Sequence, residues 1–146
     1  MTGSIFIPTH AYTPGITPRH AEGCFEAVRA SVHDAMTPQE LQSSEAFRTG
    51  LNYLDTGYYW EAHEVLEPVW MALPDPSRER ILLQALIQLA NAQLKLAMKR
   101  PNAAKRLCGI VRGLLGDVGD EVGDEVVMGV ALSHVIRQVA TLEALI

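Results

Sequence analysis

The chain has 146 residues, of which 48% are hydrophobic and 20% are charged, and its formal net charge at pH 7 is −5. This is the composition of one globular domain, and it excludes a disordered chain. The acidic balance and the short lysine and arginine runs exclude the basic stripe of a nucleic-acid-binding protein, and no apolar stretch is long enough to span a membrane.

The N-terminal segment, residues 1–21, is predicted to be an extended arm that lies over the domain. Its prolines and glycine disfavour regular helix, while its apolar side chains can still be buried. The segment lacks the basic and long apolar parts of a secretion signal, so we expect a cytoplasmic protein. Residues 22–146 are predicted to form a single helical domain.

Two helix starts follow the arm. Thr17 is a predicted N-cap with Pro18 at the first helical position, and apolar residues at i, i+3 and i+7 continue this first helix to about Met36. Thr37 and Glu40 then have the spacing of a capping box, which predicts a second helix start.

The next two helices have clear ends. Apolar spacing predicts a helix over 44–56, followed by Gly57 as a left-handed C-cap, and then a helix from Tyr58 to about Leu73. The proline-rich residues 74–77 end that helix, and Ser77 is the predicted N-cap of the next one.

The helix from Ser77 to about Lys99 is apolar on nearly all sides, which is typical of a central element wrapped by others. Pro101 is predicted to open a further helix that ends near Leu115, followed by an acidic connector over 116–125 and a last amphipathic helix over 126–146. The predicted fold class is therefore all-α, a compact bundle of about five to six helices.

The segment from Tyr58 to Trp70 carries the most distinctive chemistry. At about 100° per residue, His63, Glu64 and Glu67 project together beside Trp60. Pro68 removes the backbone hydrogen bond that the carbonyl of Glu64 would receive, so a kink and another partner for this carbonyl are expected.

A polar ridge on the central helix is the predicted counterpart of this group. Gln84, Gln88 and Asn91 recur at i, i+4 and i+7, and buried amides need hydrogen-bond partners. We expect the histidine and the acids to be these partners, with Asn52 and Asp55 as further members.

Three interpretations of the cluster stay open. It can be a buried network that stabilises helix packing, or a pocket for a small polar ligand or partner peptide with Trp60 and Trp70 as walls. It can also be a metal site of a hydrolase, with His63 and Glu67 as ligands and Glu64 as general base, although a catalytic zinc needs three protein ligands. We expect no cofactor.

Residues outside this helix add little chemistry. Arg19 and His20 are candidate charge partners of the acids if the arm crosses the domain. Cys24 and Cys108 have no disulfide or zinc spacing and are predicted to be free thiols.

Leu51-Asn52, the run from Gly57 to Glu67 with Trp70, and the run from Leu83 to Ala90 resemble the family catalogued as domain of unknown function 309. The resemblance covers about residues 44–115 and implies a small helical bundle. It implies no activity, because the family has no assigned reaction. The chain departs from the family at Arg100-Pro101-Asn102, where members often have a glycine-asparagine turn. The signature positions that the resemblance implies are His63, Glu64, Glu67, Trp70, Gln84 and Gln88.

The sequence thus predicts an uncharacterised helical protein with a buried His/Glu/Gln cluster that is structural or binds a small molecule or protein. A metal-dependent hydrolase is the alternative. The sequence leaves open whether the chain is a monomer or a homo-oligomer, whereas nucleic acid and membrane are not expected partners.

Overall fold

The structure, a computed structural model, describes residues 5–118 and 125–146. The predicted all-α fold is confirmed: these two ranges contain seven helices and one short hairpin. None of these helices is both long and apolar enough to cross a membrane. The elements are α1 (Glu26–Arg29), α2 (Pro38–Gln42), α3 (Glu45–Thr56), α4 (Tyr59–Ala72), α5 (Arg78–Ala97), α6 (Pro101–Val118), β1 (Val126–Val127), β2 (Val130–Ala131) and α7 (Leu132–Ala144).

Local capping residues start and end the helices where the sequence predicts them. Thr37 and Glu40 form the expected capping box of α2, each side chain accepting a hydrogen bond from the other's amide. Ser44 and Ser77 each accept a hydrogen bond from the amide three residues later, at the starts of α3 and α5. Gly57 ends α3 with a φ of 92°, a left-handed conformation that favours glycine.

The four long helices α3 to α6 pack against one another in chain order, and α7 covers α5 and α6. Helix α5 contacts α4, α6 and α7, which agrees with the central position predicted for it. Burial of apolar area on this scale is the main favourable term in folding. The buried residues of α5 are Leu82, Leu83, Ala85, Leu86, Ile87, Leu89, Ala90, Ala92 and Leu94.

The predicted helix from Pro18 to Met36 is wrong. Only the short α1 is helical there, because Gly23 has a φ of 78° and interrupts any helix that approaches from the arm. Thr17 is not an N-cap: its hydroxyl donates to the carbonyl of Ala11 and accepts from the amide of Thr13. The residues before α1 instead form turns that carry the arm across the bundle.

The arm reaches both α3 and α4 over its described part, residues 5–21. The buried phenol of Tyr53 on α3 donates a hydrogen bond of 2.6 Å to the carbonyl of Phe6. Burial raises the pKa of Tyr53 above its ordinary value, so the phenol keeps the proton that it donates. The domain boundary at residue 21 stays a prediction.

The last helix is shorter than predicted. It begins at Leu132, and the residues from Val126 to Ala131 form the β1–β2 hairpin instead. Met128 and Gly129 make the turn with φ values of 53° and 74°, the conformation of a two-residue hairpin loop. Helix α6 continues to Val118, and most of the predicted acidic connector, residues 119–124, lies outside the described residues.

A close helix crossing yields a first prediction. A Cβ atom at Gly50 of α3 would overlap the fully buried side chain of Leu66 on α4. We expect Gly50→Ala to lower the free energy of unfolding by about 1–3 kcal/mol, because neither helix can move apart without opening the core. Urea denaturation measures this change.

The matched control is Gly109→Ala on α6, where an added Cβ meets no atom within 4 Å. This substitution should raise the free energy of unfolding by about 0.5–1 kcal/mol, because alanine is the better helix former. Equal stability of Gly50→Ala and the unaltered chain would contradict the close packing of α3 on α4.

Candidate functional site

The carboxylate of Glu61, in the first turn of α4, is fully buried, with 0% of its surface exposed. Its Oε2 accepts a hydrogen bond of 2.7 Å from the amide of Tyr12 and lies 2.5 Å from Nε2 of His20. Its Oε1 has no hydrogen-bond partner among the described residues. The arm is therefore fastened to α4 through one buried carboxylate.

Aromatic rings enclose His20, whose side chain is only 5% exposed. His10 stacks on it with ring centroids 4.6 Å apart, while Phe25 and Trp60 lie 5.2 Å and 6.0 Å away. His10 is itself held by its Nε2, which donates to the carbonyl of Pro18 at 2.6 Å. These contacts fix the orientation of the His20 imidazole relative to Glu61.

A cleft of about 620 Å³ opens between the arm and α4, next to this pair. Its volume is within the range of small-molecule sites in proteins. Rings of Tyr12, Phe25 and Trp60 form part of its wall. The polar and charged residues that line it are Arg19, His20, Glu22, Cys24, Glu26, Arg29 and Glu64.

Arg29 joins α1 to α4 at the far side of the cleft. Its guanidinium donates to the carbonyl of Glu64, the group that Pro68 deprives of its helical partner. The same guanidinium lies 3.7 Å from the carboxylate of Glu64 and 3.8 Å from that of Glu67. The expectation that the Glu64 carbonyl needs another partner is thus confirmed, and the partner comes from α1.

The structure brings together part of the predicted polar cluster. Nε2 of His63 lies 3.3 Å from Oε2 of Glu67, and the Glu64 and Glu67 side chains, 34% and 42% exposed, share Arg29. Within the described ranges, no hydrogen bond joins these three residues to Gln84 or Gln88.

The predicted contact between the acids and the amides is therefore wrong. Gln88 accepts a hydrogen bond of 3.4 Å from Asn91 on its own helix instead. The reason is helix geometry: the periodicity that groups His63, Glu64 and Glu67 also places them about 150° from the buried face of α4.

Other predicted site residues are dispersed. Trp60 lines the cleft, whereas Trp70 packs elsewhere, with the guanidinium of Arg80 4.4 Å above its ring. Nε1 of Trp70 and Oδ1 of Asn52 are buried without a partner among the residues that the structure describes. Arg19 is exposed at the rim of the cleft, and its predicted pairing with the acids of α4 is not found in the described ranges.

The described residues contain no group of three or more His, Cys, Asp or Glu side chains placed to hold a metal ion. The two cysteines are free thiols: Cys24 is half-buried at the cleft and Cys108 is buried in the core.

Sequence reasoning missed Glu61 as a site residue, although one signal for it exists. Glu61 lies four residues before the buried Val65, so the two share one face of α4. A carboxylate on the apolar face of a helix needs a partner from elsewhere in the chain. That partner is His20, which is predicted from the sequence only as a candidate partner of the acids on α4.

The family model described as Domain of unknown function (DUF309) matches residues 47–107. The predicted resemblance is confirmed, and the matched segment runs from α3 to the middle of α6. No curated protein and no solved structure matches the chain. Glu61 lies inside the matched segment, whereas Tyr12, His20 and Arg29 lie outside it, so this chain completes the site with residues that precede the family segment.

The contact between Arg29 and the Glu64 carbonyl yields a second prediction. We expect Arg29→Met to lower the free energy of unfolding by about 1.5–3 kcal/mol, because the carbonyl loses a hydrogen bond to a charged donor. The loss should be smaller in a Pro68→Ala background, where the alanine amide can bond to the same carbonyl.

A double-mutant cycle of these two substitutions, followed by urea denaturation, measures the coupling. Its expected size is about 0.5–2 kcal/mol. Additive effects of the two substitutions would mean that Arg29 does not act on the carbonyl that Pro68 leaves free.

Proposed function

We propose that the chain binds a small molecule in the cleft between the arm and α4, and that this molecule has a flat ring and charges of both signs, as an aromatic amino acid has. The observation that carries the proposal is the lining of this cleft of about 620 Å³, which combines aromatic walls with rim charges of both signs. The family model that matches residues 47–107 describes no function, so the support for this proposal comes from the cleft itself.

The aromatic walls support a flat ring as part of the ligand. Tyr12 and Trp60 meet edge to face, with ring centroids 5.1 Å apart. This contact holds both rings in place before a ligand enters, which reduces the ordering cost of binding. A further ring can join the group by stacking or by an edge contact.

The rim charges support a ligand that carries both an acid and an amine. Arg19, Glu22 and Glu26 form no ion pair within 4 Å among the described residues, and all three are exposed at the cleft. Arg19 can hold a carboxylate through two parallel hydrogen bonds, while Glu22 or Glu26 can accept from an ammonium group. Exposed ion pairs contribute little each, so we expect modest affinity.

The other interpretations of the α4 acids have less support. A metal-dependent hydrolase based on His63, Glu64 and Glu67 is disfavoured because the Arg29 guanidinium lies within 4 Å of both carboxylates. A structural role suits this group better, since it ties α1 to α4. As further parts of the proposal, the protein is cytoplasmic and has neither nucleic acid nor membrane as a partner. Binding of another protein, or of a second copy of the chain, is secondary to binding of the small molecule.

Three matched probes test the ligand class: L-phenylalanine, 3-phenylpropanoate, which lacks the amine, and 2-phenylethylamine, which lacks the acid. Tryptophan fluorescence in a Trp70→Phe background reports on Trp60 alone, because the chain has two tryptophans. We expect phenylalanine to bind about two- to fivefold more tightly than either singly charged probe, because it can form one more exposed ion pair with the rim of the cleft.

Two substitutions at the cleft and one control sharpen this test. Arg19→Gln should reduce the affinity for phenylalanine to that for 2-phenylethylamine, and Trp60→Leu, measured by calorimetry, should weaken all three probes. Arg106→Gln, on the exposed side of α6, should change none of them. Absence of binding at millimolar concentration, or an Arg19→Gln affinity equal to that of the unaltered chain, would refute the proposed ligand class.

A further inference from the structure

We infer that the cleft is catalytic: His20, oriented by Glu61, acts as a general base that activates water against a small carboxylic ester of an aromatic amino acid. The inference rests on the proposed function, because the amino acid that the reaction releases is a ligand of that class, and the ester differs from it in having its carboxyl group esterified. It adds an activity to a binding site, and it assigns a role to each nitrogen of the His20 ring.

The two nitrogens of His20 have different surroundings. Nε2 lies 2.5 Å from Oε2 of Glu61, and that oxygen also accepts from the amide of Tyr12. Because the amide can only donate, Oε2 acts as an acceptor, and this favours a proton on Nε2 of His20. Nδ1 then carries the lone pair and forms no hydrogen bond within the described ranges, while the residue lines the cleft. One nitrogen on a carboxylate and the other without a hydrogen-bond partner, and so able to accept a proton, is the arrangement of a histidine base.

A packing role alone accounts poorly for this pair. Burial of a histidine and a carboxylate in contact costs desolvation free energy, and apolar residues of the same size are often as stabilising. A pair retained only for packing is expected to have its polar atoms satisfied. Oε1 of Glu61 has no partner among the described residues, although the side chain is fully buried. Departures from full hydrogen bonding of buried polar atoms are most often found at functional sites.

The rigid surroundings of His20 suit a general base, because its ring must keep a fixed orientation towards the substrate. His10 stacks on one side, and Phe25 and Trp60 approach from others. Trp60 is also a wall of the cleft, so a ring bound there lies against the same aromatic group that holds the imidazole. Proximity and fixed orientation of base and substrate supply much of the rate enhancement in such sites.

The reaction needs only the ester, water and the base. Nδ1 takes a proton from water while the water oxygen bonds to the ester carbonyl carbon, and the π electron pair moves onto the carbonyl oxygen. The intermediate then collapses, the bond between the acyl carbon and the alkoxy oxygen breaks, and the leaving alcohol takes the proton back from Nδ1. Nothing is oxidised or reduced. Glu61 keeps its hydrogen bond to Nε2 throughout and is a positioning residue.

Hydrolysis of L-phenylalanine methyl ester tests the inference, with the release of phenylalanine measured by liquid chromatography. A Cys24→Ser background removes acyl transfer to the thiol at the cleft. We expect steady turnover by the otherwise unaltered chain, and a fall in kcat of about 100-fold or more in His20→Asn with little change in KM. Glu61→Gln should also lower kcat, whereas His134→Asn, an exposed histidine on α7, should leave it unchanged.

The outcomes separate this inference from the proposed function. If phenylalanine binds but the ester is not hydrolysed, or if His20→Asn hydrolyses it at the unaltered rate, the catalytic role is refuted and the binding site stands. If phenylalanine does not bind, the proposed function is refuted as well.

An NMR measurement without substrate tests the inference even if Glu61→Gln fails to fold. The ¹⁵N resonances of His20 in the folded chain should show a proton on Nε2 and a lone pair on Nδ1 once the ring is neutral. The opposite tautomer would place the lone pair towards Glu61 and refute the inference. His134 in the same spectrum serves as the reference for a histidine without a buried partner.

Discussion

The buried carboxylate of Glu61 is the group on which the site depends. A carboxylate in an apolar interior is costly unless hydrogen bonds replace the water that it loses. Here the replacements come from the arm, as the amide of Tyr12 and the imidazole of His20. The attachment of the arm, the wall of the cleft and the orientation of His20 therefore all follow from the burial of one side chain.

A second attachment lies one helical turn further along α4. Pro68 leaves the carbonyl of Glu64 without a helical partner, and Arg29 of α1 supplies one. Glu61 and Glu64 are three residues apart, so both attachments are on neighbouring parts of the same helix. The chain between Tyr12 and Arg29 is thus held at both ends, and the cleft lies between these two points.

Local sequence signals made most of the helices predictable. Contacts between residues that are distant along the chain could not be predicted in this way. The capping residues Thr37, Ser44 and Ser77 and the C-cap Gly57 lie beside the helix ends that they define, so the starts of α2, α3 and α5 could be read directly. The partner of Glu61 is 41 residues away along the chain, and no periodicity reports such a contact.

The errors have equally physical causes. Gly23, with its positive φ, interrupts the predicted first helix, and Met128-Gly129 form a hairpin turn that a helical apolar pattern conceals. On α4, the spacing of His63, Glu64 and Glu67 correctly indicated a shared face. It did not indicate which neighbour that face meets, because the neighbour, Arg29, belongs to a segment whose path depends on the arm.

Hydrogen exchange at the amide of Tyr12 tests the central claim most directly. This amide belongs to no helix or strand, so the carboxylate of Glu61 is what protects it from solvent. The account predicts exchange that is slowed at least about 100-fold relative to an unstructured chain, and loss of this protection in Glu61→Ala while amides in the core of α5 remain protected. Exchange of the Tyr12 amide at the unprotected rate in the unaltered chain would mean that the arm is not held by Glu61, and the account would be wrong.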